Sequence, residues 1–111
     1  MKTWVVISTA ASEKEGWRIA QKLVEGKLAA CVNVIPKVTS FFYWKGKLCR
    51  EREVIILIKT IQNQLNKLIN EIKKIHTYEV PEVISLRVDR GEERYLQWVN
   101  KTLAVKKIKK Y

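Results

Sequence analysis

Apolar positions along the chain change period several times, and each change marks an element. Trp4-Val5-Val6-Ile7 is a continuous, largely β-branched run, the pattern of a strand covered on both faces. Ser12-Glu13-Lys14-Glu15 then reads as a capping box, with Ser12 at the N-cap and Glu15 reaching back to it. Trp17, Ala20, Leu23, Val24 and Leu28 recur at helical spacing, and Gly26 is placed to supply a left-handed C-terminal turn. A second strand starts at 29–35, is interrupted at Pro36 as at an edge or bulge, and resumes at Val38. Lys45-Gly46 is the tip of a hairpin whose return arm is polar at 47–53 and fully apolar at Val54–Ile58. Both arms exceed the usual strand length, so the aromatic, polar outer half projects beyond its own domain.

Ile61, Leu65, Leu68, Ile69, Ile72 and Ile75 define the clearest helix. His76-Thr77-Tyr78-Glu79-Val80-Pro81-Glu82 ends it. That joint holds the only histidine, two carboxylates and a proline that fixes the backbone course. Ile84, Leu86 and Val88 alternate as on a strand with one side exposed, and Tyr95, Leu96, Trp98, Val99 and Leu103 mark a last helix.

The order β-α-β-β-α-β-α predicts an α+β chain with a ferredoxin-like sandwich: one antiparallel sheet, strands one and three central, both main helices on one face. Those two strands are the two continuous apolar runs, so pattern and topology agree. Helices on one face leave apolar side chains of the other uncovered. A patch of that size predicts an oligomer.

Length, composition and charge narrow the function classes. A chain of 111 residues, 47% hydrophobic, is one globular domain, with residues 1–105 as its body and 106–111 as a basic tail. No apolar run has the length of a membrane span, and no cleavage-site pattern follows the start, so the expected location is cytoplasmic with no membrane partner. Two cysteines are too few for a disulfide scaffold, and the hairpin register sets Cys49 beside position 42, far from Cys31. The net charge of +11 raises nucleic acid as a partner, but a basic run alone is not a docking motif, so nucleic acid is not expected. No nucleophile–base pair or phosphate-cradling glycine loop is visible, so no enzyme activity is expected.

Five segments in order resemble the divalent-cation tolerance (CutA) family: Leu28-Ala29-Ala30-Cys31-Val32-Asn33, Tyr43-Trp44-Lys45-Gly46-Lys47, Lys59-Thr60, His76 to Glu82, and Tyr95-Leu96-Gln97-Trp98-Val99. Thr77 departs from the family's usual proline, which suggests a less rigid entrance to the loop. The resemblance implies a homotrimer related in architecture to the PII signalling proteins, with hairpins gripping neighbouring subunits. It also implies a response to metal ions, with copper or another divalent cation as ligand. By motif it points to Cys31 and His76 as metal candidates. The cleft candidates are Tyr43, Trp44, Lys59, Tyr78, Glu82 and Trp98, joined by Glu79 from the joint itself. One chain offers these cations few soft ligands, at no recognised spacing. Two alternatives stand beside metal binding: a PII-like sensor holding a small anion between subunits, with Lys59, Glu79 and Glu82 as a polar cluster, and a basic nucleic-acid-binding protein.

Overall fold

The computed structural model describes residues 2–104; the basic run at 106–111 lies outside the described residues. The elements are β1 (Thr3–Ala10), α1 (Glu13–Glu25), β2 (Cys31–Trp44), β3 (Lys47–Ile61), α2 (Gln62–Ile75), β4 (Val83–Arg87) and α3 (Glu93–Ala104). They form one antiparallel sheet in the order β2-β3-β1-β4, with β1 and β3 central as expected of a ferredoxin-like sandwich.

Side-chain alternation divides the sheet. Val6 and Ala10 of β1 and Val54, Ile56 and Ile58 of β3 face α1 and α2, where they pack with Ile19, Leu23, Leu68 and Ile72 into one buried core. On the other face α3 covers one end only, through Ala30, Ile61, Val99 and Leu103. The rest of that face carries Val5, Ile7, Ile55 and Leu57, half-buried, and Ile35, Ile84 and Leu86, exposed. The apolar surface inferred from the sequence is therefore present.

Local details correct the sequence pattern at four points. The buried face of α1 is Glu15, Gly16, Ile19 and Leu23, whereas Trp17 and Val24 are exposed. Gly16 lets the helix approach the sheet so closely that an added Cβ would lie 3.0 Å from a Val54 methyl and 3.1 Å from a Val34 methyl. Gly26 is not left-handed (φ −81); Lys27 is (φ 60). The helix still closes as a Schellman motif, with Leu28 N–H donating to the Leu23 carbonyl and Lys27 N–H to that of Val24. The capping box is half-formed: Glu15 N–H donates to Ser12 Oγ at 3.1 Å, but the Glu15 carboxylate does not return to the N-cap. Finally, Ile61 joins the smaller cluster under α3, not the core under α2.

The hairpin turns at Lys45 (φ 52) and Gly46 (φ 79), two successive positive φ values as a type I′ turn requires. A bulge between Ile35 and Val38, with Lys37 left-handed (φ 62), follows Pro36 on the edge strand β2. β1 pairs with β3 only as far as Val54, so residues 47–53 are paired with β2 alone. That unflanked ribbon is the projecting arm.

Candidate functional site

The joint after α2 turns across the end of β1 and faces the base of the arm. His76 is buried beneath it. Its Nε2 lies 2.7 Å from the Thr9 carbonyl, and its Nδ1 accepts from Tyr78 N–H at 3.0 Å. Because Nδ1 accepts, the ring proton sits on Nε2, which donates to Thr9. Both nitrogens are thus engaged within the chain.

Glu15 ties the joint to α1. Its Oε2 accepts from both the N–H (3.0 Å) and the hydroxyl (2.8 Å) of Thr77, and its Oε1 accepts weakly from Ala11 N–H at 3.4 Å. Burial pushes this carboxyl up, but the two Thr77 donors, the His76 ring whenever it is protonated, and the Ala11 N–H outweigh it and leave its pKa below the ordinary carboxylate value. Thr77 therefore does not loosen the loop entrance. A proline there has no N–H to give, whereas threonine supplies two donors to one buried carboxylate.

Tyr78 carries the connection on to the arm. Its hydroxyl donates to Glu53 Oε2 at 2.5 Å, and its ring lies 4.8 Å from that of His76. Burial first, then the bond to Glu53 and the charges of Glu53, Glu15 and Glu51, hold this phenol protonated well above its usual range. Glu53 itself is only 7% exposed.

Between joint and arm opens a cleft of about 640 Å³. Phe42 and Trp44 supply apolar walls, while Glu51, Glu53, Glu79 and Glu82 bring four carboxylates to it, with Arg52 and the Cys49 thiol at its edge. In a chain of net charge +11, this is a local inversion of sign. Among the described residues, however, no three His, Cys, Asp or Glu side chains converge closely enough to hold a metal ion.

The expected site residues thus fall into separate places. Trp44, Tyr78, Glu79 and Glu82 come together in the cleft. Cys31, Lys59 and Trp98 do not join them. Cys31 pairs with Lys59 across β2 and β3, and the Lys59 ammonium donates to Asn33 Oδ1. The Cys31 thiol lies 4.0 Å from the same oxygen. Tyr95 of α3 stacks on Trp98 at 5.7 Å, and burial together with Cys31 raises its pKa. This second group is four residues along β3 from Ile55, the ladder partner of Thr9, or roughly 13 Å away. Lys59 accordingly does not form a cluster with Glu79 and Glu82. Neither His76 nor Cys31 lines the cleft. Tyr43, next to Trp44 on an extended strand, points to the opposite face of the arm and is 74% exposed.

Sequence reasoning gave Glu51 and Glu53 no role, read Glu15 as a local cap, and placed Cys49 beside position 42 without bringing it to the joint. The hairpin register pairs Phe42 with Cys49 and Ser40 with Glu51, so their shared face was implicit in the tip at Lys45-Gly46. Both cysteines are free. They sit ten residues apart in β3 register, roughly 33 Å, which rules out a bridge within the chain.

Comparison with known proteins places this geometry. The family model for the CutA1 divalent ion tolerance protein matches residues 4–102. The divalent-cation tolerance protein CutA of Thermus thermophilus is 40% identical over 95 residues, covering 86% of this chain and 92% of that protein. A CutA homolog of Xenopus laevis is 52% identical over 81 residues, 73% of this chain, but the chain spans only 54% of that relative's length. Among solved structures, the Thermus thermophilus divalent cation tolerance protein superposes with a TM-score of 0.87 at 38% identity, over 90% of this chain and 97% of that one.

Proposed function

This chain belongs to the CutA1 divalent ion tolerance family, and from that membership we propose that it acts as a homotrimer that binds copper or a related divalent cation in the cleft between arm and joint. It is read as a binding protein, not an enzyme, working in the cytoplasm. The observation that carries the proposal is the acidic cleft itself: Glu51, Glu53, Glu79 and Glu82 around one opening in a strongly basic chain. Carboxylate and phenol oxygens suit a hard or borderline cation, and the nearby Cys49 thiol adds a soft donor of the kind copper accepts.

The donor set fits a divalent cation in kind but not in number within one chain. A complete site therefore calls for groups from a neighbouring subunit. The half-covered sheet face supports that assembly, since Ile84 (50% exposed) and Leu86 (52%) extend the apolar surface of Val5, Ile7 and Leu57 out to the edge strand. The cleft and this face adjoin, because Glu51 and Glu53 continue the β3 alternation of Ile55 and Leu57. Ligation by His76 would require its ring to give up one of two internal hydrogen bonds, so its part in this reading is to position Tyr78. The carboxylate lining runs against a small anion as ligand.

Isothermal titration of copper(II) and zinc(II) into the wild type and a Glu79→Gln/Glu82→Gln variant tests the reading. Binding at least ten-fold weaker in the variant is expected. Equal affinity in both would remove the cleft as the site, and tighter binding of phosphorylated metabolites than of either metal would favour the PII-like alternative.

A further inference from the structure

The layer formed by α1 and α2 covers the sheet face opposite the proposed subunit interface, so it stays open to solvent in the trimer. The helices run antiparallel. Arg18 donates to the Ile75 carbonyl at 2.8 Å, tying the start of α1 to the end of α2, and Gln64 donates to the Lys27 carbonyl at 2.9 Å, tying the other ends. That pairing brings Arg18 to the last turn of α2, which carries Lys73 and Lys74, and Lys27 to its first turn, which Lys67 follows, with Lys14 and Lys22 one turn to either side of Arg18 along α1.

The exposed positions of α2 contain amides and cations and no carboxylate: Gln62, Asn63, Asn66, Lys67, Asn70, Lys73 and Lys74. Stability does not explain this composition. Asparagine is a poor helix former, three asparagines stand on this exposed face, and the helix begins at Ile61 with no side-chain cap. The α1 side adds an exposed tryptophan: Trp17 is 56% exposed, one turn from Lys14 and adjacent to Arg18. The carboxylates on this side are Glu13, Glu25, held by Gln21 at 2.8 Å, the half-buried Glu71 of α2, and the buried Glu15, 3.8 Å from Arg18, so the cations outnumber them without standing free of them.

We propose that the α1–α2 layer binds single-stranded nucleic acid, with its lysines and Arg18 along the phosphates, the α2 amides donating to phosphate or base edges, and Trp17 stacking on a base. Cations spaced along two helices match a linear polyanion, and a flat aromatic among them is what an unpaired base uses. An anionic membrane fits less well, because the exposed apolar side chains of the layer are Trp17 and Val24 of α1 alone and the exposed face of α2 has none to insert.

Fluorescence anisotropy of a labelled 20-nucleotide RNA and its DNA equivalent, titrated with full-length protein between 50 and 200 mM salt, tests this. Affinity should fall with salt. Lys67→Gln/Lys73→Gln/Lys74→Gln should lower the log–log salt slope by about 2 and weaken binding ten-fold or more. Trp17→Ala should weaken binding about five-fold or more at unchanged slope. Circular dichroism confirms that each variant is folded. A parallel variant with Lys106, Lys107, Lys109 and Lys110 changed to serine should retain both dependences. The proposal is overturned by absent binding at 50 mM salt, by helix variants indistinguishable from wild type, by complete loss in the tail variant, or by preferential binding to phosphatidylserine vesicles. The Glu79→Gln/Glu82→Gln variant should bind the strand as the wild type does, so failure of the cation reading leaves this one intact.

Discussion

Replacing Glu15 by alanine should loosen the joint more than any other single change there. The carboxylate is 8% exposed and accepts two hydrogen bonds from Thr77, at 3.0 and 2.8 Å, and a weak third from Ala11. Bonds to a charged acceptor contribute ~1.5–3 kcal/mol each. Thr77 is exposed and regains water when Glu15 is lost, so the net cost should be about 2–3 kcal/mol. Glu15→Gln keeps an acceptor oxygen but not the charge, and should cost about half as much. Urea unfolding at fixed protein concentration measures both, since assembly makes stability concentration-dependent. The pH dependence supplies an independent check. The folded-state pKa of Glu15 is lowered, so its contribution is full above the unfolded carboxyl value, about 4.3, and is lost as pH falls through the folded value. Glu15→Gln should flatten that acid limb. A Glu15→Ala variant within 0.5 kcal/mol of wild type at pH 7, with an unchanged acid limb, would show that Thr77 and Glu15 do not hold the joint.

Other outcomes follow from single contacts. Tyr78→Phe should cost about 1–3 kcal/mol in urea unfolding, because it leaves the buried Glu53 without its donor. The Tyr78 phenol has a raised pKa, so its contribution is complete below pH about 10 and declines as pH rises beyond it; the variant should lose that alkaline decline. Ser8→Ala should leave stability unchanged or raise it by about 1 kcal/mol, since the Ser8 hydroxyl is fully buried with no hydrogen-bond partner; a loss above 1 kcal/mol in the same assay would mean the hydroxyl is satisfied. Lys27→Gly should raise the melting temperature by a few degrees, about 1 kcal/mol, because Lys27 is left-handed at the end of α1.

The architecture was legible where the hydrophobic period was strong. The apolar runs in β1 and β3 announced central strands, and Lys45-Gly46 announced a two-residue turn that set the register of the whole arm. The phase of α1 was misread because its closest contact with the sheet is Gly16, which has no side chain to show a pattern, while Trp17 is apolar yet exposed. Glu15 looked like a local cap. Its real partner is 62 residues away, and no local rule anticipates such a contact. The cleft was half legible: the joint declared itself by composition, but its other wall comes from alternate residues of β3 that read only as a polar arm.

A cation site completed between subunits should be lost when one subunit is separated from the others. Ile84→Asp/Leu86→Asp places charges on the open sheet face and leaves the core under α1 and α2 untouched. Copper(II) titration of wild type and variant, with sedimentation equilibrium on the same samples, is the measurement. The wild type should be a trimer that binds the ion, and the variant a folded monomer whose affinity is at least ten-fold weaker. A folded monomer that binds as tightly as the wild type, or a wild type that is itself monomeric, would contradict a site shared between subunits.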